Sequence, residues 1–323
     1  MFLILLLYMI LASTFTMGKA VLCYISPIFF IALRMLVGGG LLYAYLIVRK
    51  QRILPKRADL LDFLQIIAFH IYCAYIFEFW ALQYVSSSKT ALIYNISPFV
   101  TALFASFMLR EYLTKNKLIG LIIGLIGIVP WIITKSECGY FTLAGRENLI
   151  SLPEIILIVA VISSAYGWII FKRLMHKGYS PLMINTIGML GGGLCALMTS
   201  LLFEKSPRLL SNLSTCPVNM PGLQLFTSWF GSNAQIALIA VYMLLMILIS
   251  NIIFYNLYGL LLQRYSATFL SFAGFTCPLF AALFGWLYLG ESVGWNFFIS
   301  AAIISCGLLI FYQEELKLYT IKK

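Results

Sequence analysis

Four ionisable side chains interrupt long apolar runs in this chain: Lys19, Arg34, His70 and Glu78. A charge at the centre of a membrane-spanning helix costs about 2.5–3.5 kcal/mol on insertion scales, so each calls for a function or a partner. Arg34 lies seven residues after Pro27, and Glu78 lies six before the end of its apolar run at Tyr84. At ~1.5 Å per residue, both fall about 10 Å below the same face of a bilayer. This level pair has two readings. As a site, a guanidinium and a carboxylate lining a watery cavity would hold the carboxylate and ammonium of a zwitterion. As architecture, the two would neutralise each other in a structural ion pair. Lys19 belongs nearer the outer mouth, where it joins the cationic wall or snorkels to the interface. His70 falls deeper, toward the cytoplasmic half, and with no visible partner reads as a packed or interfacial ring.

Asn251, Tyr255 and Tyr258 recur at i, i+4 and i+7, which puts an amide and two phenols on one helix face. Such a face could stack on a base and hydrogen-bond its edge, or serve only as interfacial aromatics. Pro98 and Pro278 each remove a donor, leaving the carbonyls of Tyr94 and Gly274 without their helical bond. The paired kinks are expected either to act as hinges or to shape a cavity. Metal or redox chemistry is not expected: the seven cysteines (Cys23, Cys73, Cys138, Cys195, Cys216, Cys277, Cys306) show no C-x-x-C or ligand spacing, and no cofactor is implied. There is no G-x-x-x-x-G-K-[ST], no H-E-x-x-H and no G-x-S-x-G. These patterns point away from an ATP-driven pump and from an enzyme. An intramembrane enzyme or a structural membrane subunit remains the alternative to a carrier.

The elements that must position these residues follow from composition. Of 323 residues, 62% are hydrophobic and 10% charged, and the mean hydropathy is +0.97; soluble domains carry about 25% charged residues. The apolar surface must therefore face lipid. Apolar runs near 2–22, 28–48, 61–84, 90–109, 118–134, 153–171, 181–203, 236–262, 266–289 and 294–312 give ten spans. They are continuously apolar rather than alternating, which selects helices over a barrel and predicts an all-α integral membrane protein. Met1–Thr16 lacks a basic n-region and reads as a retained first helix.

The net charge of +11 reports topology rather than nucleic-acid binding. With the N-terminus inside, fifteen basic residues fall in cytoplasmic segments (Arg49–Arg57, Arg110–Lys117, Lys172–Lys177, Arg264, Lys317–Lys323). Five (Lys89, Lys135, Arg146, Lys205, Arg208) fall opposite. Both termini are expected in the cytoplasm. The outer side then carries Cys138, Cys216 and the sequon Asn212-Leu213-Ser214, in connections without apolar periodicity.

Sliding the chain by 180 residues superposes Leu82, Gln83, Ser86, Pro98, Ala102, Leu103, Phe104, Leu109, Glu111, Asn116, Ile119, Ile123 and Gly127 on identical residues from Leu262 to Gly307. A weaker echo at a shorter offset pairs Gly38-Gly39-Gly40 with Gly191-Gly192-Gly193. Each half has an odd number of spans, five, so the copies enter the membrane in opposite senses, as in the inverted repeats of secondary transporters. The expected units are 1–135 and 153–312, with a cytoplasmic tail at 313–323. Within the second unit Tyr258 matches Glu78 and nothing ionisable matches Arg34, so the cavity should be asymmetric.

The P-[FL]-[VF]-[TA]-A-L-F runs from Pro98 and Pro278, each followed by an acidic turn (Leu109-Arg110-Glu111, Leu289-Gly290-Glu291), resemble the EamA-type members of the drug/metabolite transporter superfamily. That resemblance implies a substrate cavity between the first four helices of each repeat, with the fifth and tenth helices peripheral. It also implies a small-molecule cargo such as an amino acid or a derivative. Some members carry S-adenosylmethionine, whose exchange for its demethylated product would suit a cation, a carboxylate and a tyrosine face. The site expected on these grounds is Arg34, Glu78, Lys19, Asn251, Tyr255 and Tyr258. Pro98 and Pro278 would be its hinges, and its setting a bacterial plasma membrane.

Overall fold

The computed structural model describes residues 2–22, 24–51, 54–109, 114–132, 151–204, 234–289 and 294–321. Cys138, Cys216, Asn212, Glu111 and Glu291, named above, lie outside them. Ten helical stretches follow in order: α1 Phe2–Leu22, α2 Pro27–Val48, α3 Arg57–Leu82, α4 Ser87–Leu109, α5 Lys115–Ile132, α6 Leu152–His176, α7 Pro181–Phe203, α8 Ala234–Arg264, α9 Ala267–Leu289 and α10 Trp295–Ile321. Seven are long and apolar enough to cross a bilayer, and Cys277–Tyr288 and Trp295–Phe311 are shorter apolar helices. Phe107 and Trp295 are 80% and 84% exposed, which in water would be a liability and in lipid is the expected outer face. The last helix continues to Ile321, through the segment expected as a tail. Gln313-Glu314-Glu315-Leu316-Lys317 are all good helix formers, so the backbone stays helical where the apolar run ends.

Local chemistry sets the ends. Pro27, Pro153 and Pro181 open their helices at positions where a missing N–H costs nothing. Ser151 and Glu154 form a capping box, with the Ser151 amide donating to Glu154 at 2.7 Å. The turn from α6 to α7 is a Schellman motif. Gly178, at φ +91°, donates to Met175, and Tyr179 donates to Leu174.

The two halves cross at α2 and α7. A β-carbon on Gly39 would stand 3.0 Å from Leu190 Cγ and 3.1 Å from Met189 Cβ. One on Gly193 would stand 3.0 Å from Leu36 Cγ and 3.1 Å from Met35 Cβ. Each glycine thus receives the side chains that precede the other, the signature of a local two-fold axis. α5 and α10 pack on one another through Gly120 and Gly307, each of whose β-positions is filled by the other's carbonyl.

Four spans depart from a plain α-helix at two matched pairs of positions, and α9 widens again to a π-helix over Gly285–Leu289, which α4 does not repeat. α3 widens to a π-helix over Ile66–Cys73, and α8 over Ile247–Phe254. α4 breaks between Tyr94 and Ser97, ahead of Pro98; α9 tightens to a 3-10 turn over Gly274–Thr276, ahead of Pro278. The breaks fall where the two prolines withhold their donors.

Charges tie the helix ends together, among them Lys89, Arg173 and Lys177, which the sequence placed in connecting segments. Lys89 is buried in the first turn of α4 and pairs with the buried Glu154 of α6. Glu204, at the end of α7, accepts from Ser26 Oγ (2.9 Å) and from the amides of Ile28 and Phe29 (both 3.0 Å), capping α2 with a carboxylate. At the opposite ends of α3 and α6, Asp62 pairs with Arg173 and, at 2.8 Å, with Lys177, while Asp59 receives Lys177 (2.7 Å) and the Tyr179 hydroxyl (2.7 Å). These bonds hold the Lys177 ammonium above its usual range. A raised value in the folded state keeps this contribution intact below the ordinary lysine range and removes it only as pH rises through the folded value. The Lys177 contribution is therefore insensitive to pH around neutrality.

Candidate functional site

α3 and α8 meet through Tyr75 and Tyr255, whose rings lie 6.1 Å apart. The two tyrosines are separated by 180 residues, the offset of the internal repeat. Beside them opens a cavity lined by α1, α3, α4, α6, α8 and α9; its polar wall includes Glu78, Tyr94, Ser97, Ser164 and Ser271, and its apolar wall Phe15, Trp168 and Phe254. It is narrow, about 80 Å³. Pockets that enclose a drug-sized ligand run to roughly 300–1,000 Å³.

Glu78 reaches the cavity from α3, and its carboxylate accepts the hydroxyl of Tyr94 on α4. Tyr255 and Tyr258 line the opposite side and are stacked on Trp168, with ring separations of 5.5 and 3.9 Å. Tyr8 also lines the cavity and donates to the Leu270 carbonyl. The result is one carboxylate facing a wall of aromatic rings. Ring faces are electronegative, so the wall favours a cation as the carboxylate does.

The other expected residues lie elsewhere. Arg34 is 1% exposed and does not line the cavity. Its guanidinium packs 4.9 Å from the Tyr75 ring centre and 5.1 Å from that of Phe79, and donates to Ser250 Oγ at 3.3 Å; its Nε and Nη1 have no hydrogen-bond partner. Arg34 and Glu78 form no ion pair, because Tyr75 and Ser250 hold the one and Tyr94 the other. A buried guanidinium with two unused donor groups is costly unless something completes it.

Lys19 donates to the carbonyl of Val85 at 3.0 Å, beyond the end of α3. Asn251 has turned off the tyrosine face. It is fully buried against α2 and α7, with its amide 3.1 Å from Met35 Sδ and 3.8 Å from Met189 Sδ, and its Oδ1 is unpartnered. The cause is the π segment. With i→i+5 bonding each residue turns through a smaller angle, so Asn251 stands rotated from the position that an α-helix would give it relative to Tyr258. His70 is a packed ring, edge-on to Trp168 at 4.4 Å and seated on Gly167. Among the described residues no group of three or more His, Cys, Asp or Glu could hold a metal ion.

Sequence reasoning missed Tyr75, Tyr94 and Trp168. Tyr75 was available as the repeat mate of Tyr255. Trp168 carries no signal beyond its type, since its place depends on how α6 packs.

The EamA-like transporter family profile matches residues 1–132 and 151–313. The chain belongs to the EamA-like transporter family. It is thus a multi-pass membrane transporter built of inverted repeats, not an enzyme. It is similar to the S-adenosylmethionine/S-adenosylhomocysteine transporter of Chlamydia muridarum (strain MoPn / Nigg), 33% identical over 98% of this chain and 92% of that one. The protein of the same name from Chlamydia trachomatis serovar L2 is 31% identical over 98% and 90%. The uncharacterized transporter YoaV of Bacillus subtilis (strain 168) is 25% identical over 88% and 87%. One crystal structure at 17% identity superposes with a TM-score of 0.66 over 98% of this chain and 97% of its own, a likeness of fold.

Proposed function

We propose that this EamA-family transporter exchanges S-adenosylmethionine for S-adenosylhomocysteine by alternating access. In this reading it sits in a bacterial plasma membrane with both termini cytoplasmic. The observation that carries the reading is a carboxylate set among stacked aromatic rings, in a chain similar over nearly its whole length to transporters named for that pair. Tyr258 would take the adenine by stacking, a contribution of about 1–3 kcal/mol per base at aromatic platforms, with Tyr255 and Trp168 beside it. Glu78 would take positive charge. Arg34 would take the substrate carboxylate once Tyr75 swings aside, which gives its unused donors a partner. Lys19 would stand at the mouth, and Asn251 would act only by packing α8 on α2 and α7.

A cavity of about 80 Å³ is too small for a nucleoside-bearing ligand, so its walls must part on binding. The breaks before Pro98 and Pro278 are proposed as the hinges, and the glycine crossing of α2 and α7 as the fulcrum on which units 1–135 and 153–312 rock, with 313–323 as the tail.

Counterflow in proteoliposomes tests this. Vesicles preloaded with S-adenosylhomocysteine should accumulate labelled S-adenosylmethionine, and vesicles preloaded with methionine or another amino acid should not. Exchange of ordinary amino acids without S-adenosylmethionine would replace the substrate. Exchange of neither class would assign the transporter another class of cargo.

A further inference from the structure

We infer that the cavity is a cation cage selective for a sulfonium, with Glu78 as counter-charge and the Trp168 and Tyr255 rings as its walls. This rests on the substrate reading above and adds how the methylated and demethylated ligands are told apart.

The two ligands differ by one methyl group and one positive charge. Burying a methyl is worth only about 0.8 kcal/mol, a factor of roughly four. Discrimination beyond that must be electrostatic, and the cavity is one-sided in charge. Glu78 lines it with no cation within ion-pair distance among the described residues, and the Arg34 guanidinium packs on Tyr75.

The choice of sulfonium over ammonium follows from hydrogen bonding. An ammonium brings three N–H donors that need acceptors when dehydrated. Here Tyr94 occupies one Glu78 oxygen, and Trp168 and Tyr255 present ring faces without acceptors, which leaves an ammonium only the other oxygen and the serine hydroxyls of the far wall. A sulfonium has no donor. Its charge is spread over the attached carbons, so a carboxylate at van der Waals distance and aromatic faces satisfy it fully, as they do quaternary ammonium ligands. After methyl transfer the same sulfur is a neutral thioether and that attraction vanishes. The base and amino-acid contacts remain, so the spent ligand still binds, more weakly, and can serve as the exchange partner.

Equilibrium binding to the purified full chain, with two ligand pairs, tests the cage. S-adenosylmethionine is compared with S-adenosylhomocysteine, and S-methylmethionine, a sulfonium without a nucleoside, with methionine. The wild type should prefer the sulfonium of each pair by about tenfold or more. Glu78→Gln keeps the shape and an acceptor for Tyr94; it should erase most of that preference while leaving S-adenosylhomocysteine affinity within about threefold, which also reports that the variant is folded. Trp168→Leu should lower the preference in both pairs. Equal loss of both members of a pair in Glu78→Gln would overturn the cage and assign the carboxylate to the shared ammonium. Sulfonium preference in the short pair without any binding of S-adenosylmethionine would leave the cage standing and overturn the substrate reading. No sulfonium preference in either pair of the wild type would overturn the cage alone, provided both nucleosides bind.

Discussion

Between Ile66 and Cys73 in α3, and between Ile247 and Phe254 in α8, the helix widens to i→i+5 bonding, and each widened turn presses a side chain onto a glycine opposite. A β-carbon on Gly192 would meet Ile71 Cγ2 at 2.5 Å, and one on Gly38 would meet Asn251 Cβ at 2.9 Å. Ile71 and Asn251 are 180 residues apart, as are Tyr75 and Tyr255, and Glu78 and Tyr258. The backbone device is thus present twice and the carboxylate once. The duplication supplies a symmetric frame, and the chemistry comes from the positions where the copies differ: Glu78 against Tyr258 in the cavity, and Arg34 against Gly188 behind it.

The frame should break equally from either side. Gly192→Val and Gly38→Val are each expected to destabilise the protein by about 1–3 kcal/mol through overpacking, read as a lower melting temperature in detergent. Gly40→Val, with nothing within 4 Å of its β-position, should change it by less than about 0.5 kcal/mol. A marked difference between Gly192 and Gly38 would show that the two π turns are not equivalent supports.

The next effect belongs to the aromatic wall. Tyr258→Phe keeps the stack on Trp168 and removes one hydroxyl, so both nucleosides should weaken together by about 2- to 10-fold in a binding assay. Weakening of one nucleoside only would place the hydroxyl at the sulfur end of the ligand.

Asn251 sharpens the comparison in the opposite direction. Its repeat mate is an isoleucine, its amide meets only sulfur atoms, and its Oδ1 is unpartnered. Asn251→Ile should therefore cost little stability or add up to about 1 kcal/mol, and leave both affinities unchanged. Lost selectivity for the nucleoside would return Asn251 to the site.

The smallest effect is expected at the polar cluster. Lys177→Ala should leave the melting temperature in detergent nearly unchanged, because solvent screens the pairs of this exposed side chain with Asp59 and Asp62. Transport should be unaltered in an uptake assay; a large loss would make the cluster a gate.

The fold was legible because lipid imposes one rule on every span, and the repeat was legible through Pro98/Pro278 and the glycine triplets. The breaks before both prolines follow from a missing donor and could be placed to within a turn. The π turns were not legible, since no residue type demands i→i+5 bonding, and they moved Asn251 off the face assigned to it. Depth arithmetic put Arg34 and Glu78 on one level but could not supply rotation about the helix axis. Rotation is what sets Arg34 behind Tyr75 and brings Glu78 to Tyr94. Lys89 read as a loop charge, and Asp59, Asp62, Glu154 and Glu204 carried no signal, because their partners lie on helices distant in sequence.

The account turns on Glu78 being a charge that serves the cavity rather than half of a structural pair with Arg34. Counterflow in proteoliposomes of Glu78→Gln beside the wild type tests this most directly. The account predicts that entry of labelled S-adenosylmethionine falls by at least about tenfold while exchange of labelled for unlabelled S-adenosylhomocysteine continues. Unchanged S-adenosylmethionine entry in the Glu78→Gln protein would contradict it.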